Sequence, residues 1–110
     1  MGLYDGVLIK DNHIAVSGGI AKAVKKVKQV ISHLVKVEVE AASIDEVKAA
    51  LAAGADIIML DNMDLKQIRQ AVHIIDNTCL VEVSGNVTRE RLSSLADTGV
   101  DLISIGALTH

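Results

Sequence analysis

Short apolar runs recur along the chain, and each ends abruptly in polar or small residues. Val7-Leu8-Ile9 runs into Lys10-Asp11-Asn12-His13, Val35 to Glu40 ends on Glu40, and Ile57 to Asp61 ends on Asp61. Leu80 to Ser84 gives way to Ser84-Gly85-Asn86, and Leu102 to Gly106 to Gly106-Ala107. Runs of this kind read as buried parallel strands that deliver polar groups at their carboxyl ends. Between them the apolar spacing changes to that of helices. Ile20, Ala23, Val24, Val27, Val30 and Ile31 form one stripe, and Lys22, Lys25, Lys26 and Lys28 fall mostly off it as a solvated face. Ser43 with Glu46, and Asp64 with Gln67, are spaced as capping boxes opening the second and third helices. Leu65, Ile68, Val72 and Ile75 are the inward residues of the third. Thr88 is the expected N-cap of the fourth, with Val87 and Leu92 as a hydrophobic staple, and Gly54 and Gly99 close the second and fourth.

An internal repeat supports strict β/α alternation. Leu51-Ala52-Ala53-Gly54-Ala55-Asp56-Ile57-Ile58 returns as Leu95-Ala96-Asp97-Thr98-Gly99-Val100-Asp101-Leu102-Ile103: a helix end, a glycine turn and a strand start. Five strands and four helices in alternation imply a parallel sheet with helical crossovers. Strand parity then selects its kind. In Val35-Lys36-Val37-Glu38-Val39-Glu40 the valines face one way and the charged residues the other. A sheet with one uniformly apolar face and one charged face is the wall of a barrel, with helices outside and a polar lumen inside. The predicted fold is α/β, with parallel β/α repeats forming part of an incomplete, TIM-like α/β barrel.

Aligning the strands by their carboxyl ends predicts one lumen layer of Lys10, Glu40, Asp61, Ser84 and Gly106. Leu8, Glu38, Met59, Glu82 and Ser104 fall beneath it, and Gly6, Lys36, Ile57, Leu80 and Leu102 lowest. Buried Glu38 and Glu82 require partners such as Lys36, Lys10, Ser104 or water, and read as an interior hydrogen-bond network rather than as catalysts. The top layer carries the chemistry. Glu40 and Asp61 offer oxygen ligands suited to Mg²⁺ held jointly with substrate phosphates; their alternative role is to cap a neighbouring helix N-terminus. Ser84-Gly85-Asn86 and Gly106-Ala107 present small residues where barrels hold phosphate. Lys10 points a cation at the same mouth and can also pair with Glu40. His13 lies past the strand and reads as a loop residue.

Composition narrows the classes. Of 110 residues 50% are hydrophobic, and the formal charge of −3 with a single aromatic residue, Tyr4, argues against nucleic acid as a partner. No run approaches membrane-spanning length and no signal peptide is evident, so no membrane association is expected. Cys79, the lone cysteine, reads as a small buried hydrophobe in a reducing cytoplasm. The outer strands of a five-stranded arc lack partners on one side, so association with further strands or another copy is expected.

Leu8-Ile9-Lys10-Asp11-Asn12-His13-Ile14, Val37-Glu38-Val39-Glu40, Ala53 to Asn62, Val83-Ser84-Gly85-Asn86-Val87-Thr88 and Ile103 to Thr109 together resemble quinolinate phosphoribosyltransferases, also called carboxylating nicotinate-nucleotide pyrophosphorylases. The resemblance runs through the whole chain. It implies transfer of a 5-phosphoribosyl group from its 1-diphosphate to quinolinate, with loss of CO₂ and diphosphate, giving nicotinate mononucleotide for NAD synthesis. It implies that Lys10 contacts quinolinate or diphosphate, that Glu40 and Asp61 hold the ribose hydroxyls and Mg²⁺-diphosphate, and that Ser84, Gly85, Asn86 and Gly106 cradle the 5-phosphate. It also implies small-molecule substrates and a homo-oligomer in the full-length family. Residues 1 to 110 correspond to part of the C-terminal barrel domain. Family members add an N-terminal α+β domain, a His-Arg pair ahead of the segment matching Met1-Gly2-Leu3, and an earlier Thr-Arg-Lys-Thr motif. The clamp for quinolinate's carboxylates is therefore expected outside this chain, which alone is not expected to complete the reaction. Two other readings are a noncatalytic remnant or assembly module that binds phosphate or partner chains, and a related barrel phosphoribosyltransferase acting on another acid.

Overall fold

The computed structural model describes residues 6–9, 16–31, 34–85 and 89–105. Strands β1 (Gly6–Ile9), β2 (Lys36–Ala41), β3 (Ile57–Leu60), β4 (Leu80–Gly85) and β5 (Leu102–Ile105) alternate with helices α1 (Val16–Val30), α2 (Ile44–Ala53), α3 (Leu65–Ile75) and α4 (Arg89–Ala96). All neighbouring strands are parallel and lie in sequence order, β1-β2-β3-β4-β5. This is the α/β alternation predicted above.

Parity holds throughout the described residues. Val37, Val39, Ile58, Leu60, Val81 and Val83 are buried together with Ile20 and Val24 of α1, Val47 and Ala50 of α2, Ile68, Ala71 and Ile75 of α3, and Leu95 of α4. The core therefore lies between one sheet face and the helices. The other face carries Leu8, Glu38, Glu40, Met59, Glu82 and Ser104, and there Leu8 and Leu80 are exposed.

Register departs from the flat alignment. Leu8 does lie opposite Glu38, and Met59 opposite Glu82. But Glu40 lies opposite Met59 rather than Asp61, and Ser84 opposite Ser104 rather than Gly106. The single layer of Lys10, Glu40, Asp61, Ser84 and Gly106 is therefore corrected to a staircase that steps by two residues at β2–β3 and at β4–β5. Strands that tilt around a barrel axis must slip in register as they go. Two such steps over four interfaces match the one residue per strand of an eight-stranded barrel with a shear of eight. Steps of two also preserve parity, which is why the face assignments survive.

The internal repeat fixes these steps. Asp56 donates its N–H to Val37 O at 2.9 Å and accepts the Val37 N–H on Oδ2 at 2.8 Å. Asp101 makes the same pair with Val81, at 2.9 and 2.8 Å. Each aspartate precedes its strand by one residue, and its carboxylate takes an N–H that the ladder would otherwise leave unmet.

Helix ends follow local rules. Ser43 Oγ accepts the Glu46 N–H at 3.2 Å, while Glu46 Oε1 reaches one residue past the expected box to the Ala42 N–H at 2.6 Å. Asp64 and Gln67 form a full capping box. Gly54 closes α2 at φ 86°, a left-handed conformation that glycine adopts without steric cost. Gly99, at φ 92°, turns the chain after α4. The stripe of α1 needs one correction: Val30 is 79% exposed while Val27 and Ile31 pack against the core, because at 3.6 residues per turn Val30 falls at the edge of the stripe that those two centre on. Lys22, Lys25, Lys26 and Lys28 are exposed as predicted, and Lys28 donates to Gly54 O at 2.6 Å. Thr88 and Val87 lie outside the described residues.

Replacing Asp56 with Ala leaves the half-buried Val37 N–H without its acceptor. We expect a loss of about 1 to 3 kcal/mol in urea unfolding, with an unchanged denaturant slope and a smaller loss for Asp56→Asn, whose amide oxygen still accepts.

Candidate functional site

The carboxyl ends of the strands form the polar mouth of the sheet. The staggered register arranges it in two rows on the lumen face. The lower row runs Glu40, Met59, Glu82, Leu102 through successive paired positions. In the upper row Ser84 pairs with Ser104, and Asp61 follows Leu60, whose partner Val83 precedes Ser84. Glu40 and Asp61 thus stand on adjacent strands but two residues apart along them, about 8 Å between Cα atoms from the strand rise and spacing.

Each position has an identifiable support. The Asp61 N–H donates to Ala41 O at 2.9 Å, which extends the ladder one residue past β3. Asn62 then turns the chain in the left-handed region at φ 56°, a conformation that asparagine tolerates better than most residues. Met63 plugs the core at 5% exposure, and its carbonyl accepts from Arg91 Nη2 of α4 at 3.1 Å. Asp64 opens α3 next. The loop bearing Asp61 is held on one side by β2 and on the other by α4. Arg91, which the helical pattern assigns only to an outer helix, reaches this loop; nothing local in the sequence signals that contact.

Glu82 is 8% exposed and accepts a hydrogen bond on Oε2 from Ser104 Oγ. This is one of the partners expected for it. Glu38 and Glu40 are half-buried on the same face. The alternative role of Glu40 and Asp61 as helix caps is not what α2 and α3 use, since Ser43 with Glu46 and Asp64 with Gln67 take those N–H groups. Of the predicted site residues, Glu40, Asp61, Ser84 and Gly85 are brought to the mouth. Lys10, Asn86 and Gly106, with His13, lie outside the described residues. Among the described residues, no three or more His, Cys, Asp or Glu side chains converge to hold a metal unaided. Two oxygen donors on neighbouring strands instead suit a hard divalent cation that completes its shell with ligand oxygens and water.

A parallel β/α sheet with barrel stagger and carboxylates at its strand ends defines the class: part of an α/β-barrel fold. The family follows from comparison. The description "Quinolinate phosphoribosyl transferase, C-terminal domain" matches residues 1–110, and the chain belongs to that family. It is 45% identical over 109 residues to the probable nicotinate-nucleotide pyrophosphorylase (carboxylating) of Bacillus subtilis, covering 99% of this chain and 38% of that protein. It is 42% identical over 128 residues to the chloroplastic nicotinate-nucleotide pyrophosphorylase (carboxylating) of Arabidopsis thaliana, covering 100% of this chain and 37% of that protein. It is similar to the solved structure of the nicotinate-nucleotide pyrophosphorylase from Francisella tularensis, with TM-score 0.84 and 50% identity over 98% of this chain and 37% of that one. The chain thus spans less than two-fifths of the length of these relatives. Among the described residues no helix is long and apolar enough to cross a membrane.

The amino-terminal ends of the strands frame an open cavity of about 660 Å³, lined among others by Lys36, Asp56, Cys79, Leu80 and Asp101. It lies at the opposite end of the sheet from the carboxylate mouth. Burial pushes the Cys79 thiol above its ordinary range, and the Asp101 and Asp56 carboxylates add to the effect by opposing a second negative charge. The thiol is therefore protonated at neutral pH, consistent with a structural cysteine. Iodoacetamide should label Cys79 slowly at pH 7, its rate rising only at pH above that of a free thiol. Asp101→Asn, by removing one opposing charge, should move that rise to lower pH.

Proposed function

We propose that this chain forms the phosphoribosyl- and metal-binding side of a quinolinate phosphoribosyltransferase active site. The reaction transfers the 5-phosphoribosyl group of 5-phosphoribosyl 1-diphosphate to quinolinate with release of diphosphate and CO₂, giving nicotinate mononucleotide for NAD synthesis. The observation that carries this reading is the family match over residues 1–110, on a sheet whose carboxyl ends present Glu40 and Asp61 on adjacent strands.

The chemistry of the mouth supports that division. Ionised carboxylates only accept hydrogen bonds. Glu38, Glu40, Asp61 and Glu82 therefore favour hydroxyls and cations, and they oppose the approach of bare phosphate or carboxylate. Glu40 and Asp61 would accept from the ribose hydroxyls and hold Mg²⁺ together with the diphosphate. The same carboxylates stabilise the positive charge that develops at the ribosyl carbon as the diphosphate departs. When bound, Mg²⁺ supplies neutralisation of the leaving group. Ser84, Gly85, Asn86 and Gly106 would bring backbone N–H groups to the 5-phosphate, and Lys10 would supply a cation for quinolinate or diphosphate.

The reading extends to a cytoplasmic homo-oligomer. The lone Cys79 fits a reducing compartment, and β1 and β5 each lack a strand partner on one side among the described residues, which offers edges for assembly.

In the full-length chain, Asp61→Asn should weaken Mg²⁺-dependent binding of 5-phosphoribosyl 1-diphosphate by about 10- to 100-fold while leaving quinolinate binding nearly intact. Calorimetry distinguishes the outcomes: equal loss for both ligands would assign Asp61 a structural role.

A further inference from the structure

Glu82 and Ser104 form a pair that the reaction above leaves without a task. Ser104 sits in the upper row beside Ser84, on the exposed lumen side, while Glu82 lies beneath it, nearly buried. A serine hydroxyl has one hydrogen to donate and two lone pairs to offer. Ser104 Oγ donates that hydrogen to Glu82 Oε2, an oxygen that as carboxylate can only accept. What Ser104 presents to the mouth is therefore a fixed acceptor.

We infer that Ser104 is a ligand for a hydroxyl of the ribosyl group, with Glu82 as the positioning residue that turns its lone pairs outward. The inference rests on the phosphoribosyl reading above and deepens it. A neutral acceptor backed by a carboxylate suits a donor and disfavours a phosphate dianion, whose oxygens bear no hydrogen. Ser104 thereby differs from its neighbour Ser84, although the two stand side by side at the same level. The row runs from Asp61 through Ser84 to Ser104, so hydroxyl acceptors stand at both of its ends. A ribosyl ring lying across it would meet one on each side, with the phosphate reaching Ser84 and Gly85 at the carboxyl end of β4. The arrangement also gives the buried charge of Glu82 a reason to be there. Its hydrogen bond is spent on orienting a neighbour that faces the ligand.

The test compares two probes in the full-length chain, ribose 5-phosphate and inorganic phosphate, by calorimetry on variants whose melting is checked first. Ser104→Ala should weaken ribose 5-phosphate about tenfold, the effect of one good hydrogen bond, and leave inorganic phosphate unchanged. Ser104→Thr, which keeps the hydroxyl, should restore binding. Glu82→Gln should reduce the preference for ribose 5-phosphate over inorganic phosphate, because a side-chain amide can donate to Ser104 and release its hydrogen. Equal weakening of both probes by Ser104→Ala would make Ser104 a phosphate ligand and overturn the inference. So would binding that no variant alters. Failure of the unsubstituted protein to bind either probe would instead overturn the phosphoribosyl reading on which the inference rests.

Discussion

The two-residue slip between β2 and β3, repeated between β4 and β5, is the constraint on which the mouth depends. Without it Glu40 and Asp61 would sit side by side, and two carboxylates at strand spacing would repel one another across less than 5 Å. With it they stand on the diagonal, about 8 Å apart between Cα atoms from the strand rise and spacing. The slip is set at the opposite end of the sheet. Asp56 and Asp101 each lock the strand they precede to the strand before it through a pair of hydrogen bonds, and they do so at the two interfaces where the register steps. Carboxylates at the amino ends thus decide which carboxylates meet at the carboxyl ends.

Period-two alternation made the faces legible in the sequence, because a residue's face depends only on its neighbours along one strand. Val37 and Val39 against Glu38 and Glu40 needed nothing further. Register was not legible from the same pattern, since it depends on strand tilt, and tilt is a property of the closing sheet. The repeat Gly54-Ala55-Asp56 and Gly99-Val100-Asp101 did carry the information, as a strand start with an acid ahead of it. Reading it as a register lock requires knowing that the acid meets Val37 and Val81. Caps were legible at Ser43, Gly54 and Asp64, where the interaction spans one turn. Val30 was misplaced because it lies at the edge of its helical stripe, where spacing alone does not decide whether a side chain reaches the core. The contact from Arg91 to Met63 joins residues on different elements, and no local pattern encodes it.

The same residue types do different work at the two ends of the sheet, and the partner decides which. Asp56 and Asp101 take backbone N–H groups of the sheet itself, and their negative charge is felt by Cys79, which it helps to keep protonated. Asp61 instead lies just beyond a strand end, in a loop whose backbone groups are already bound: its own N–H by Ala41, the Met63 carbonyl by Arg91. A side chain on a loop so fixed can act on a ligand without first being ordered, which lowers the entropic cost of binding.

The acidity of the lumen limits what can bind there. Among the described residues, four carboxylates on one face of a five-stranded arc would repel a polyanion unless cations intervene. Yet they are well suited to a sugar, whose hydroxyls are donors on every side. A ligand with a polyol centre and anionic ends meets this constraint if its centre lies over Glu40, Asp61 and Ser104 and its ends reach past the carboxylates to a metal ion or to backbone N–H groups. Phosphoribosyl diphosphate has that form, with one phosphate at one end of the ribose and a diphosphate at the other. Under the proposed function the negative face would act as a selector, holding the sugar in the middle and leaving the charged ends to groups beyond the strands.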